Sequence, residues 1–193
     1  MNAHDTIKHF ILNNLAIRAD IKAVEQRFDL SLENDVQRSN REEQYYPQFT
    51  DKLRREAEAM ADRYKIFYCL ENFLRELIVS KLLDEQGEKW WDVAVPEPVR
   101  RNASDNRKKE ITSGNTPRSD SLIDYTNFGE LGEIIKANWT VFGDIFRDIR
   151  AIENIMSRLN TLRAPIAHCK VLAEDEVVRL HLSFRDLFRQ MGS

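Results

Sequence analysis

The run Arg163-Ala164-Pro165-Ile166-Ala167-His168 sets a permanent cation and a titratable imidazole five positions apart across a proline. A guanidinium offers a planar fork of N–H donors that fits phosphate oxygens. An imidazole takes or gives a proton near neutral pH. Beside an RNA backbone the two could cut a phosphodiester without a metal. A neutral imidazole removes the proton of the 2′-OH, which attacks the adjacent phosphorus; an imidazolium protonates the departing 5′-oxygen. The guanidinium stabilises the added charge of the phosphorane. The product is a 2′,3′-cyclic phosphate. One imidazole cannot easily make both transfers. A twofold dimer would bring two copies of the pair together, with one His168 on each side of the scissile phosphate.

Spacing alone is weak support for this chemistry. Nineteen arginines and four histidines in 193 residues give about 0.4 chance matches to Arg-x4-His. Arg163 at a helix C-terminus can simply complement the helix dipole. His168 can be an ordinary core or surface histidine. His181, four residues before Arg185, reads as a surface or packing residue, and His4 and His9 carry no recognisable constellation.

The elements that would position the pair read as helices throughout. Ile7, Phe10, Ile11 and Leu15, then Ile21, Val24 and Phe28, give a modest helical pattern over 5–33, followed by a polar connector over 34–46. The strongest helix is predicted over 48–83. Its stripe is Leu53, Ala57, Met60, Tyr64, Phe67, Leu70, Leu74, Leu77, Ile78 and Leu82, with charges on the other faces and Gly87 as the stop. Glu71 and Arg75 form an i,i+4 pair within it. The stretch 88–126 is the least regular. Trp90-Trp91 opens it, and a basic run (Arg100, Arg101, Arg107, Lys108, Lys109) sits on a short helix over 97–111. Ser113 to Pro117 reads as a flexible turn. The basic run is either a solvated face or a substrate-facing patch.

Asn127 is placed to cap a helix carrying Leu131, Ile134 and Ile135. The next helix is expected to carry Ile145, Ile149, Ile152, Ile155, Met156, Leu159 and Leu162. Pro165 is expected to end it and to open the next element, so that Arg163 closes one helix and His168 rides the start of another. A last helix spans 174–191 with Val177, Leu180, Phe184, Leu187 and Phe188 inward. The fold class is all-α, an antiparallel bundle of four to five helices. The expected organisation is an N-terminal helical extension over 1–50 and a domain over 51–193, with an insertion or loop region over 84–126.

Composition bounds the function. With 32% charged residues and a net charge of −3, a broad grip on duplex DNA is disfavoured, while a local basic pocket is not. Cys69 and Cys169 lie on separate segments without CxxC spacing, so no zinc site, no other metal and no cofactor are expected. Polar and charged residues interrupt the first fifteen positions, and no apolar run reaches the ~18 residues of a membrane span. The expectation is a cytoplasmic protein with no membrane partner.

Asn160-Thr161-Leu162-Arg163-Ala164-Pro165-Ile166-Ala167-His168 resembles the signature of the HEPN superfamily, Arg-x(4–6)-His. The run Tyr64 to Ile78 is similar to the first long helix of one HEPN branch, and Trp90-Trp91 follows in the right place. Phe128 to Ile135, with Asn138-Trp139 and Phe142, resembles that branch's middle helix. Four matches in order are far more specific than the hexapeptide. The resemblance implies an all-α dimer that cleaves RNA without metal, with Arg163 and His168 catalytic across the interface. It also implies a toxin or anti-phage defence setting, with an antitoxin or defence-system protein as a possible partner. Glu71, Asn72 and Arg75 fall where polar residues of the first helix can support the motif; a plain surface ion pair is the alternative. Ala164 stands where an asparagine is common, which removes a possible contact to substrate. The tyrosine that one toxin branch carries after the histidine is replaced here by Cys169, Lys170 and Val171, so regulation by a nucleotidyltransferase antitoxin is not implied. Some members of the superfamily bind nucleotides or RNA without catalysis, and a purely structural dimerisation bundle is a third possibility.

Overall fold

A computed structural model describes residues 46–191. The chain divides into two units, residues 1–54 and 55–193. The helix expected over 5–33, most of the connector, and His4 and His9 lie outside the described residues. Of the first unit, a short 3-10 turn at Tyr46–Gln48 is described. Everything below concerns the second unit and the helix that leads into it.

The long first helix, α1, runs Asp51–Gln86. It buries Phe67, Leu70, Leu74, Ile78 and Leu82, which recur at steps of three and four along one face. Leu74, Ile78 and Leu82 are fully shielded from solvent, and each such side chain contributes about 1.5–3 kcal/mol of transfer free energy. The predicted stripe is too long at its N-terminal end: Ala57 and Tyr64 are exposed. Gly87 takes φ 65°, the left-handed conformation that ends α1 at little steric cost.

A 3-10 turn (Gly87–Lys89) and the short α2 (Trp90–Ala94) lead to α3, Glu97–Thr112. The segment read as an insertion or loop is therefore mostly helical, and it joins the core. Val95, Val99, Ala103, Ile123 and Tyr125 are all buried, so its few apolar residues pin it while Arg101, Lys108 and Lys109 face solvent. After a third 3-10 turn (Leu122–Tyr125) comes α4, Phe128–Ala137. Its start is a full capping box. The Asn127 side chain accepts from the Glu130 N–H at 3.0 Å, and the Glu130 carboxylate accepts from the Asn127 N–H at 2.7 Å. Asn102 of α3 donates to the other oxygen of Glu130 at 3.0 Å, which ties α3 to this cap.

The short α5 (Trp139–Phe142) is followed by α6 (Ile149–Ala167) and α7 (Glu174–Gln190). Asp148 caps α6 through the Ala151 N–H. A short connection over 168–173 folds α7 back along α6 as an antiparallel neighbour. Ile152, Leu159, Leu180 and Leu187 close the core from this side. The architecture is all-α, as the periodicity predicts.

Candidate functional site

Four polar or aromatic positions on α1, Tyr64, Tyr68, Glu71 and Arg75, follow steps of four, three and four. They form a second stripe beside the buried one. The end of α6 supplies Arg163, whose Nε donates to Oε2 of Glu71 at 3.1 Å. The other oxygen of Glu71 accepts from Nη2 of Arg75 at 2.5 Å. One carboxylate thus holds two guanidinium groups, one from its own helix and one that lies 92 residues further along the sequence. Arg75 also donates from Nη2 to the Thr126 carbonyl at 3.0 Å and from Nη1 to Asn72 Oδ1 at 3.5 Å, while its Nε is buried without an acceptor. Asn72 in turn donates to the Tyr68 carbonyl at 2.7 Å.

The side chains of Glu71 and Arg75 are only 13% and 14% exposed, and that of Arg163 is 33% exposed. The surface ion pair that sequence allowed for Glu71 and Arg75 is therefore a shielded network, in which charge–charge attraction is less screened than in water. Its net charge is positive, because two cations share one anion.

These residues line a cleft of about 420 Å³. Its charged walls are Arg75, Arg118 and Arg163 against Glu71 and Asp124, with Tyr64, Phe67 and Tyr68 as the aromatic side. Arg118 is held in place from behind. Its backbone N–H and guanidinium bind the Glu110 carboxylate at 3.1 Å, and its guanidinium carbon sits 5.2 Å from the Tyr125 ring centroid. The backbone bond from Arg118 is the main cause that holds the Glu110 carboxyl below its ordinary value of 4.5, helped by the guanidinium itself.

Where the candidates fall differs from the expected junction. α6 does not end at Pro165 but runs through it to Ala167, and His168 is its C-cap. The proline removes the bond to the Thr161 carbonyl, which water can satisfy because Thr161 is exposed. The turn that follows is a Schellman motif: the Cys169 N–H reaches the Ile166 carbonyl at 3.2 Å and the Lys170 N–H reaches the Pro165 carbonyl at 2.8 Å. Cys169 takes the left-handed position at φ 54°. Arg163, Glu71, Asn72 and Arg75 come together in the cleft. Ala164 and His168 are exposed and are not part of its lining. His181 is exposed on α7.

Tyr64, Tyr68 and Arg118 did not emerge from the sequence as site residues. Tyr64 matched the apolar stripe. Arg118 sat just past an apparent turn. A signal for the tyrosines existed in their i,i+4 spacing ahead of Glu71.

A family model described as Swt1-like HEPN matches residues 65–192. The chain belongs to the Swt1-like HEPN family. The match begins one residue after Tyr64 and takes in both Glu71 and the Arg163–His168 segment. HEPN domains are often ribonucleases, so membership supports an RNA- or nucleotide-related function at that coarse level. No curated protein and no solved structure matched significantly. Among the described residues of this HEPN protein no helix is long and apolar enough to cross a membrane.

Proposed function

We propose that this HEPN protein is an endoribonuclease that cleaves RNA by attack of the 2′-OH on the adjacent phosphorus. The observation that carries the reading is the aim of Arg163. Glu71 binds its Nε, which leaves both Nη groups for the oxygens of a phosphate in the cleft. In the reaction Arg163 stabilises the phosphorane, and His168 transfers the protons. Because the substrate supplies its own nucleophile, no metal-bound water enters the scheme. An exposed His168 outside the cleft of its own chain suits a composite site, in which a twofold partner brings the imidazoles to the phosphate. On the family resemblance, the setting is a toxin or anti-phage defence effector, in the cytoplasm, with an antitoxin or defence-system protein as its controller.

The test is cleavage of single-stranded and structured RNA in excess EDTA. Wild type should yield 2′,3′-cyclic phosphate ends, and a 2′-deoxynucleotide at the cut position should stop the reaction. Arg163→Ala and His168→Ala should each lower kcat/KM by about 10²-fold or more. Absence of cleavage, or rates unchanged by both substitutions, would sink the catalytic claim.

A second reading is a non-catalytic module that binds RNA, nucleotide or a protein partner. Two observations favour it: Arg163 already shares its charge with Glu71, and Ala164 offers no polar group to a ligand. Stoichiometric RNA binding without turnover would decide for it.

A further inference from the structure

Tyr64 and Tyr68 are each 59% exposed. Two adjacent large aromatic side chains thus stand open beside a charged cleft, each an apolar ring with a polar tip. Their ring centroids are 6.2 Å apart and the planes are tilted by 42°. The two rings touch without covering each other, so each keeps an open π-face. Both line the cleft that holds Arg163. Their phenol rings add flat, apolar surface beside the charged groups of the cleft.

The register along α1 gives the scale. Tyr68 is three residues and Tyr64 seven residues before Glu71, the anchor of Arg163. At 1.5 Å per residue the two lie about 4.5 and 10.5 Å along the axis from that anchor. Stacked nucleotides repeat at about 3.4 Å per strand. A strand whose phosphate sits at Arg163 would therefore pass the tyrosines within about one to three nucleotides. Aromatic faces near guanidinium groups are the means by which proteins hold unpaired bases.

We propose that Tyr64 and Tyr68 form a stacking platform for a base of single-stranded RNA, next to the phosphate bound by Arg163. This rests on the reading of Arg163 as the phosphate ligand. Paired RNA keeps its bases stacked inside the duplex and cannot use the platform, so single-stranded substrate is preferred. The preference is for an unpaired base rather than for one base identity, because every base has a π-face.

The experiment uses the full chain and a fluorescein-labelled single-stranded RNA 12-mer, with binding read by anisotropy and cleavage by gel. Tyr64→Ala with Tyr68→Ala should raise Kd and KM about tenfold or more, while Tyr64→Phe with Tyr68→Phe should stay within about twofold of wild type. A single abasic nucleotide near the cut should weaken wild type by a similar factor and leave the double alanine variant no weaker than it already is. Both tyrosines are exposed, and a circular dichroism spectrum matching wild type confirms that the variants fold. Unchanged Kd and KM in the alanine pair would overturn the platform, whether or not the protein cuts RNA. Tyrosine-dependent binding with no cleavage would remove the nuclease reading and leave the platform standing. Altered self-association with unchanged RNA affinity would assign the face to a protein partner and overturn the proposal. Failure of wild type to bind the 12-mer would overturn both.

Discussion

Glu71 holds two guanidinium groups with one carboxylate, and the aim of Arg163 depends on it. Glu71→Gln keeps the shape and withdraws the charge. One of its new N–H groups then faces a guanidinium, and Arg75 is left largely shielded without an anion. The expected outcome is a loss of about 2 kcal/mol in urea unfolding and at least a tenfold fall in RNA cleavage, read as kcat, since Arg163 loses its fixed orientation. Stability unchanged in the Gln variant would mean that the carboxylate is not shared. Cys169 makes an opposite case. Its φ of 54° is the region where a Cβ crowds the following carbonyl, at about 1–2 kcal/mol for an ordinary residue. Cys169→Gly should raise the urea midpoint, by up to about 1 kcal/mol in ΔG after the entropy of the unfolded glycine is subtracted. A clear loss of stability would show that Cys169 is not strained in this turn.

At the scale of elements, local chemistry was readable wherever one residue decides. Asn127 satisfies two N–H groups at the head of α4 with the help of Glu130, and Asn127→Ala should lower stability by about 1 kcal/mol, checked by thermal unfolding. Pro165 was misleading because proline has two weights. It ends many helices, but α6 runs on two residues past Pro165 to Ala167 and forfeits one bond, to the exposed Thr161 carbonyl. The turn after α3 depends on Glu110, whose folded value lies below 4.5. A depressed folded value means that the ionised carboxylate stabilises the fold. That contribution is full above 4.5 and is lost as pH falls through the lower folded value. Proton NMR of residues 113–121 should therefore show the loop loosening in acid, and Glu110→Gln should loosen it already at pH 7. A loop indifferent to both would remove Glu110 as its tether. Sequence could not reveal this pair, because Glu110 and Arg118 meet only after the intervening residues fold back.

For the whole molecule, the helical period carried the fold class, and the ordered matches from Tyr64 to His168 carried the family. Contacts between distant helices were not legible in the same way. Periodicity says which face of α1 is buried, not that the neighbouring stripe meets Arg163. It also says nothing about a second chain, on which the proposed mechanism depends. If the site is composite, cleavage per chain should fall on dilution, in step with the dimer fraction measured by analytical ultracentrifugation. A rate per chain that stays constant while dimers dissociate would place the whole reaction in one protomer.

The Glu71–Arg163 bond spans 92 residues, and this separates its partners in time as well as in sequence. At a synthesis rate of about 5–20 residues per second, Arg163 is added roughly 5–18 s after Glu71. A nascent chain can form α1 and its tyrosines early, but the arginine proposed to bind phosphate is missing from the cleft until α6 has emerged. The ribosome, itself built of RNA, thus lays down α1 and its tyrosines well before the proposed RNA site can assemble.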